Sequence, residues 1–391
     1  MKAICWQGKK DIRCEEVPDP KIEDPKDAII RVTSTCICGS DLHLMNGFVP
    51  TMMLGDVMGH EPMGEVVEVG PEAKAKGLNL GDRVVVPFQM VCGECEQCRK
   101  HNFSLCQRTN RNADLAKAFF GDTVAGLFGY SHITGGYAGG QAEYLRVPFA
   151  ATTVIKIPKS GEDEKYLFLS DILPTGWQAA EQCDIQPDDT VAIWGCGPVA
   201  QFAILGALKL GARRVIAIDD VPERLAMARA QGAEALDRTG INVIQALKEM
   251  TDGHGPDKVI DAVGIEAHGP TKVLELIDRV QTAMKLETER PVALREAIMA
   301  CKAGGTVSIP GVYGGLSNAI PMGALMNKGL TVRTGQTHVK KYADDLLRRI
   351  DEGDIDATFV VTHQVPLGRA PEMYKTFRDK QDGCIKVVLK P

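Results

Sequence analysis

Residues 191–219 constrain this chain more than any other stretch. Val191-Ala-Ile-Trp194 is a short apolar run of the kind a buried parallel strand needs. Gly195 and Gly197 follow as a turn with no side chain in the way, and Pro198 suits a first helical position, where a missing N–H costs nothing. Apolar residues then recur at helical spacing as far as Leu210, with Lys209 in the last turn and Gly211 as the stop. A second apolar run, 215–218, ends on Asp219. Strand, glycine turn, helix and strand in this order predict a doubly wound parallel α/β sheet.

The same order suits a pyrophosphate. A helix N-terminus offers free N–H groups, and glycines allow close backbone approach. A carboxylate at the end of the next strand can take a ribose hydroxyl. Gly195, Gly197, Pro198 and Val199 form the candidate cradle, with Ala200 at the third small position and Asp219 as the ribose acceptor. Asp219 and the adjoining Asp220 repel a 2′-phosphate, which favours NAD over NADP. Taken alone, the glycines also read as an ordinary turn, and Asp219 as a strand-end residue.

At 391 residues, two domains are expected. A net charge of −6 without a basic block gives no footprint for nucleic acid or an anionic membrane. No apolar run approaches a membrane span, and Met1 leads into a strand-like stretch instead of a signal core, so a cytoplasmic protein is expected. Short β-runs at 2–6, 28–33, 64–69, 82–87 and 142–147, broken by Gly and Pro, predict a small, partly open β-barrel. Regular α/β alternation begins after Asp171. The domains expected are therefore 1–170 and 171–335, with 336–391 returning to the first. In that tail the pattern predicts helices over 344–350 and 370–378 and strands over 359–364 and 385–389. The charged stretch 265–303 exceeds an ordinary crossover and reads as a flap over the adenosine half of the nucleotide.

Four of the twelve cysteines fall within 92–106, as Cys92-Gly-Glu-Cys95-Glu-Gln-Cys98 and then Cys106. Thiols at i, i+3 and i+6 on a tight turn can converge, and a fourth closes a tetrahedron with no open position, which describes structural zinc. An iron–sulfur centre or redox thiols are the competing readings, without a supporting motif for either.

Three further pieces are Cys38-Gly-Ser-Asp-Leu-His43, Gly59-His60-Glu61 and Ser170-Asp171-Ile-Leu-Pro-Thr-Gly176. Together with the cysteine lobe and the nucleotide turn they resemble the zinc-dependent medium-chain alcohol dehydrogenases, over essentially the whole chain. Gly139-Gly-Gln-Ala-Glu-Tyr144 and Thr334-Gly-Gln-Thr337 look most like the glutathione-independent formaldehyde dehydrogenase branch. The resemblance implies a GroES-like β-barrel catalytic domain beside a Rossmann NAD-binding domain, two zincs per chain, and a homodimer or homotetramer.

It further implies that Cys38, His60 and Asp171 hold a catalytic zinc whose fourth position stays open. Asp171 stands where many members of the family have cysteine. Thiolate plus carboxylate still matches a dication, and the weaker oxygen donor leaves the metal at least as electrophilic. Singly, His60 reads as a turn histidine, Cys38 as a buried thiol and Asp171 as a helix N-cap. Glu61 lies beside the metal, and Asp41 is an orienting partner for the His60 ring.

Ser40 and His43 would carry a proton from substrate to solvent, as in that family. Thr175, Arg224, Val263, Pro310, Gly311, Val312, Gly335, Gln336 and Thr337 are implied on the cofactor side. Phe48, Trp177 and residues 110–136 are candidate pocket walls for a small or medium alcohol or aldehyde. Within the class, a formaldehyde dehydrogenase or dismutase and a polyol- or threonine-type dehydrogenase stay open. Outside it stand a non-catalytic NAD- and zinc-binding redox sensor and a zinc-free quinone reductase of the same fold, which would lack both metal motifs.

Overall fold

A computed structural model describes residues 1–264, 291–313, 317 and 319–391. The chain divides into two compact units, Met1–Pro174 with Thr337–Pro391, and Thr175–Gln336.

In the first unit, β1 (Lys2–Trp6), β2 (Ile12–Glu16) and β4 (Asp56–Val57) form a small antiparallel sheet. The larger sheet is organised on β3 (Ala28–Ile37), which pairs with β5 (Met63–Val69), β7 (Tyr144–Val147) and β16 (Val387–Lys390). It continues through β6 (Arg83–Val85) to β8 (Ile155–Lys156), and on the far side to β15 (His363–Pro366). Register shifts after Ile29 and after Val32 bend β3, as bulges do, and let one strand serve two cores. Ala28, Ile30 and Val32 pack with Val66, Val84 and Leu145. Ile37, at the other end of β3, packs with Leu44, Met58, Tyr374 and Val387. The antiparallel register of Val387 with Ile37 thus ties the C-terminal segment to the strand that leads into Cys38.

The second unit has six parallel strands: β9 (Thr190–Trp194), β10 (Arg214–Asp219), β11 (Glu234–Asp237), β12 (Lys258–Asp261), β13 (Thr306–Ile309) and β14 (Thr331–Thr334). Their order is β11-β10-β9-β12-β13-β14, the doubly wound arrangement whose winding reverses between β9 and β12. All five β9 residues are buried, because helices cover both faces of the sheet. Helices Pro198–Lys209 and Pro222–Ala230 pack through Ala200, Ala203, Ile204 and Leu225 on one face. Helices Val243–Glu249 and Val292–Ala300 pack through Leu247, Ala297 and Ile298 on the other.

Three local expectations need correction. The strand expected at 359–364 begins only at His363, because Thr358–Val360 forms a single helical turn held at Thr358 by the Asp356 side chain. Much of the 265–303 flap lies outside the described residues. Its last part, Val292–Ala300, is a helix packed into the core. The tail helix runs over Val339–Asp351, longer than the expected 344–350.

Candidate active site

The four-cysteine lobe is built locally. Cys92 Sγ and Cys98 Sγ are 3.8 Å apart, and Cys95 Sγ and Cys106 Sγ 4.0 Å apart. A tetrahedron of thiolates at the usual zinc–sulfur distance has edges of about 3.8 Å. Backbone N–H groups of Cys95, Cys98 and Gln107 point at the sulfurs of Cys92 and Cys95, as thiolates favour. A hydrogen bond from Cys98 holds the Cys106 thiol well below the ordinary thiol range, which favours a thiolate there. All four side chains are buried, and the set fits a closed structural zinc.

The second cluster draws on distant segments of the same unit. β3 ends at Ile37, and Cys38 caps the helix Gly39–Met45 that carries Ser40, Asp41 and His43. His60 and Glu61 follow the turn at Gly59, and Asp171 stands between a single turn, Phe168–Ser170, and the helix Ile172–Glu181. Cys38, His60, Glu61 and Asp171 each offer a ligand atom, all within 4.8 Å of one another. His60 Nε2 lies 3.3 Å from Asp171 Oδ2, and Cys38 Sγ lies 3.8 Å from the same oxygen. Tetrahedral zinc with these donors requires separations of about 3.3 and 3.5 Å.

The electrostatics agree with that fit. Burial opposes charge on the His60 ring, yet Asp41, Asp171 and Cys38 outweigh it and hold the ring's pKa well above the ordinary imidazole range. A pocket of this kind favours a cation among its donors. Asp41 Oδ1 lies 3.1 Å from His60 Nδ1, which leaves Nε2 facing the cluster. Ser40 Oγ is 3.2 Å from that Nε2. Phe88 and Tyr130 meet the His60 ring edge-on, at 6.4 and 6.5 Å between centroids, and supply apolar walls. Tyr130 falls within the expected wall 110–136; Phe48 is exposed, and Trp177 is buried in the other unit.

His43 departs from expectation. A relay needs its last member near water, whereas His43 is 4 % exposed and burial lowers its pKa to about 4, with Asp41 opposing only in part. Three further residues, with no role legible in the sequence, surround the cluster. Lys386, fully buried on the C-terminal segment, bonds Glu61 Oε2 and donates to the carbonyl of Ile37 at 3.1 Å. Burial disfavours its charge, and Glu61 with the nearby thiols restores it. Gln141 and Tyr374 sit behind Asp41. A lone lysine near the C-terminus carries no sequence signal for such a pair; the Gly139-Gly140-Gln141 run is the one mark that points to Gln141.

In the second unit the glycine turn is formed by residues at the carboxyl end of β9. Gly195 has φ +87°, and a Cβ there would lie 3.0 Å from Val263 Cγ2. Gly197 is different: its φ of −70° suits any residue, and a Cβ there would meet only Arg224, at 3.9 Å. Among the described residues no neighbour accounts for the missing side chain, and the open space in front of Gly197 fits a ligand approaching the helix N-terminus. Arg224 adds a buried Nε with no partner among the described residues.

Val263, Pro310, Gly311 and Val312 follow β12 and β13, and the close pairing of Gly264 with Gly311 brings them together. Asp219 ends β10, and its carboxylate accepts from the N–H groups of Cys196, Asp220 and Val221. It therefore also braces the turn, a role invisible in the motif. Thr175 begins the second unit within the helix Ile172–Glu181. Gly335 and Gln336 follow the edge strand β14, and Thr337 opens the returning segment of the first unit, where its carbonyl accepts from Gln89.

Residues 24–159 match the alcohol dehydrogenase GroES-like domain, and residues 198–276 match the zinc-binding dehydrogenase domain. The chain is 45 % identical to an uncharacterised zinc-type alcohol dehydrogenase-like protein of Bacillus subtilis, over all of both chains. It is 33 % identical to a formaldehyde dismutase of Pseudomonas putida, covering 100 % of this chain and 97 % of that one. Its fold superimposes on an alcohol dehydrogenase from Thermus sp. ATN1 with a TM-score of 0.81 at 34 % identity, covering 100 % of this chain and 99 % of that one. Two family domains in order, full-length relatives and the two cysteine-containing clusters agree: the chain belongs to the zinc-dependent medium-chain alcohol dehydrogenases and is a zinc-dependent oxidoreductase.

Proposed function

We propose that this chain oxidises a small or medium alcohol, or a hydrated aldehyde, with NAD as hydride acceptor. In this reading Cys38, His60 and Asp171 hold a catalytic zinc, with Glu61 beside it, and Cys92, Cys95, Cys98 and Cys106 hold a structural one. The observation that carries the reading is the convergence of Cys38, His60, Glu61 and Asp171 within 4.8 Å, with the Ser40 hydroxyl at the His60 ring.

Zinc at this site supplies a Lewis acid that lowers the pKa of a hydroxyl. Ser40 Oγ takes the proton leaving the substrate and hands its own on toward solvent; His43, buried three residues along the same helix, is not the last member of that relay. Asp41 keeps the His60 ring oriented, and Phe88 and Tyr130 keep water from the reacting group. Gly197, Pro198 and Val199 cradle the NAD pyrophosphate and Asp219 the ribose, with Arg224, Val263, Pro310, Gly311 and Val312 around it. Thr175, Gly335, Gln336 and Thr337 complete the cofactor side.

Relatives named formaldehyde dismutase and glutathione-independent formaldehyde dehydrogenase, at 33 and 34 % identity, support aldehyde chemistry as a second reading. The unit Met1–Pro174 with Thr337–Pro391 is read as catalytic and Thr175–Gln336 as NAD-binding, within four residues of the expected 1–170, 171–335 and 336–391. No helix among the described residues is long and apolar enough to cross a membrane. Cysteines carried as thiols suit a reducing, cytoplasmic setting. A homo-oligomer is supported by the edge strand β14, all four residues of which are exposed beside the exposed Met322 and Met326.

The test is NADH formation by the purified, zinc-loaded protein over a panel of primary alcohols and aldehydes. Turnover of an alcohol supports the first reading. Equal yields of acid and alcohol from an aldehyde without net NADH support dismutation. No turnover of any of them with both metals bound rejects both.

A further inference from the structure

Gln141, within the Gly139-Gly140-Gln141 run, has no role assigned by that motif. Gly139 and Gly140 let its segment press against the turn that carries His60: a Cβ at Gly139 would lie 2.2 Å from the Met58 carbonyl, and one at Gly140 2.4 Å from Pro62. A Cβ at Gly59 would in turn strike Gln141 itself, at 2.4 Å. The side chain so placed is fully buried and uses its whole amide. Nε2 donates to the carbonyl of Cys36 at 2.8 Å and to Asp41 Oδ2 at 3.1 Å, while Oε1 accepts from Tyr374 at 2.8 Å. The amide has one workable orientation, since the reverse would set its oxygen against a carbonyl and a carboxylate. Tyr374 is also fully buried, on the helix Ala370–Arg378 of the C-terminal segment.

Gln141 therefore joins the strand that delivers Cys38, the helix that carries Asp41 and the turn that carries His60. Asp41 in turn accepts from the Cys38 N–H at 2.9 Å and faces His60 Nδ1 at 3.1 Å. We propose that Gln141 and Tyr374 are positioning residues of the metal centre, fixing Asp41 so that Cys38 and His60 are held in a ligating arrangement before metal arrives. This rests on the reading that Cys38, His60 and Asp171 hold a metal. Loss of an outer partner of a ligand ordinarily weakens metal binding, and a buried network fails as a unit.

The test uses full-length protein loaded with zinc, or with cobalt(II) as a spectroscopic substitute, and follows release to a chelating dye. Gln141→Leu should speed release from the Cys38 site about 10- to 100-fold. Tyr374→Phe, which removes only the hydroxyl, should do so to a smaller degree, and both should shift the cobalt d–d bands. Release from the four-cysteine lobe should stay unchanged. In an Asp41→Asn background, Gln141→Leu should add little, whereas a residue that merely packs would add its full effect. Folded variants with wild-type release rates and spectra, in a protein whose wild type binds two metals, would overturn this proposal alone. A wild type that binds only the four-cysteine metal would overturn the metal reading and this proposal with it.

Discussion

The buried pair of Glu61 and Lys386 offers a quantitative test of how the first unit is held together. The two residues are 325 positions apart, both fully buried, and join the segment around His60 to the C-terminal strand. Replacing Lys386 by Met preserves most of the stem and removes the charge. It leaves Glu61 as an uncompensated buried anion close to Cys38 and Asp171, and strips the Ile37 carbonyl of a donor. Breaking a buried pair on one side costs about 3–5 kcal/mol, because the remaining charge stays desolvated. Removing both partners, as in Glu61→Leu with Lys386→Met, is ordinarily near neutral. The double variant should therefore recover most of what the single variant loses.

The assay is urea unfolding followed by tryptophan fluorescence. Trp6 lies in the first unit, and Trp177 and Trp194 in the second, so a Trp177→Phe, Trp194→Phe background reports the first unit alone. A single-variant loss below about 1 kcal/mol, or a double variant as unstable as the single one, would refute the reasoning.

Other expectations follow from the same geometry. Gly197→Val should fold with a stability change of at most about 0.5 kcal/mol, as for an unhindered surface change, but lose NAD affinity by calorimetry. Gly195→Ala meets both a positive φ and Val263, so it should lose about 1–2 kcal/mol in thermal unfolding. Cys106→Ser should release the lobe's metal and expose residues 92–106 to proteolysis, with the Cys38 metal retained.

The His43 ring is buried with its pKa lowered to about 4, below the ordinary 6.5. The unfolded chain therefore binds the extra proton between those values. This contribution to stability is complete above pH 6.5, shrinks as pH falls, and is lost by pH 4. At about 1.36 kcal/mol per unit it amounts to about 3 kcal/mol. His43→Gln should flatten that acid limb in pH-dependent denaturation.

What could be read beforehand was what is local in the chain. Cys92, Cys95, Cys98 and Cys106 span fifteen residues, so spacing alone carries their convergence. The glycine turn announces itself because strand, turn and helix are contiguous. The elements around Cys38, His60 and Asp171 could be assembled only by resemblance, since nothing in their spacing brings them together. Lys386 and Tyr374 lay beyond both routes, and the Gly139–Tyr144 motif marked Gln141 without giving its role. Their roles arise from partners more than 100 positions away in the chain, and a single Gln or Tyr in an amphipathic stretch has the same pattern as an ordinary surface or core residue. The 359–364 error has a smaller cause: Asp356 draws Thr358 into a turn that β-branched composition does not reveal.

The central claim is that Cys38, His60 and Asp171 hold a metal distinct from the four-cysteine one. Elemental analysis of zinc per chain, in the wild type and in Asp171→Ala, tests it most directly. Two are expected in the wild type and one in the variant, the remaining one in the four-cysteine lobe. Two zincs per chain in Asp171→Ala, or one in the wild type, would contradict it.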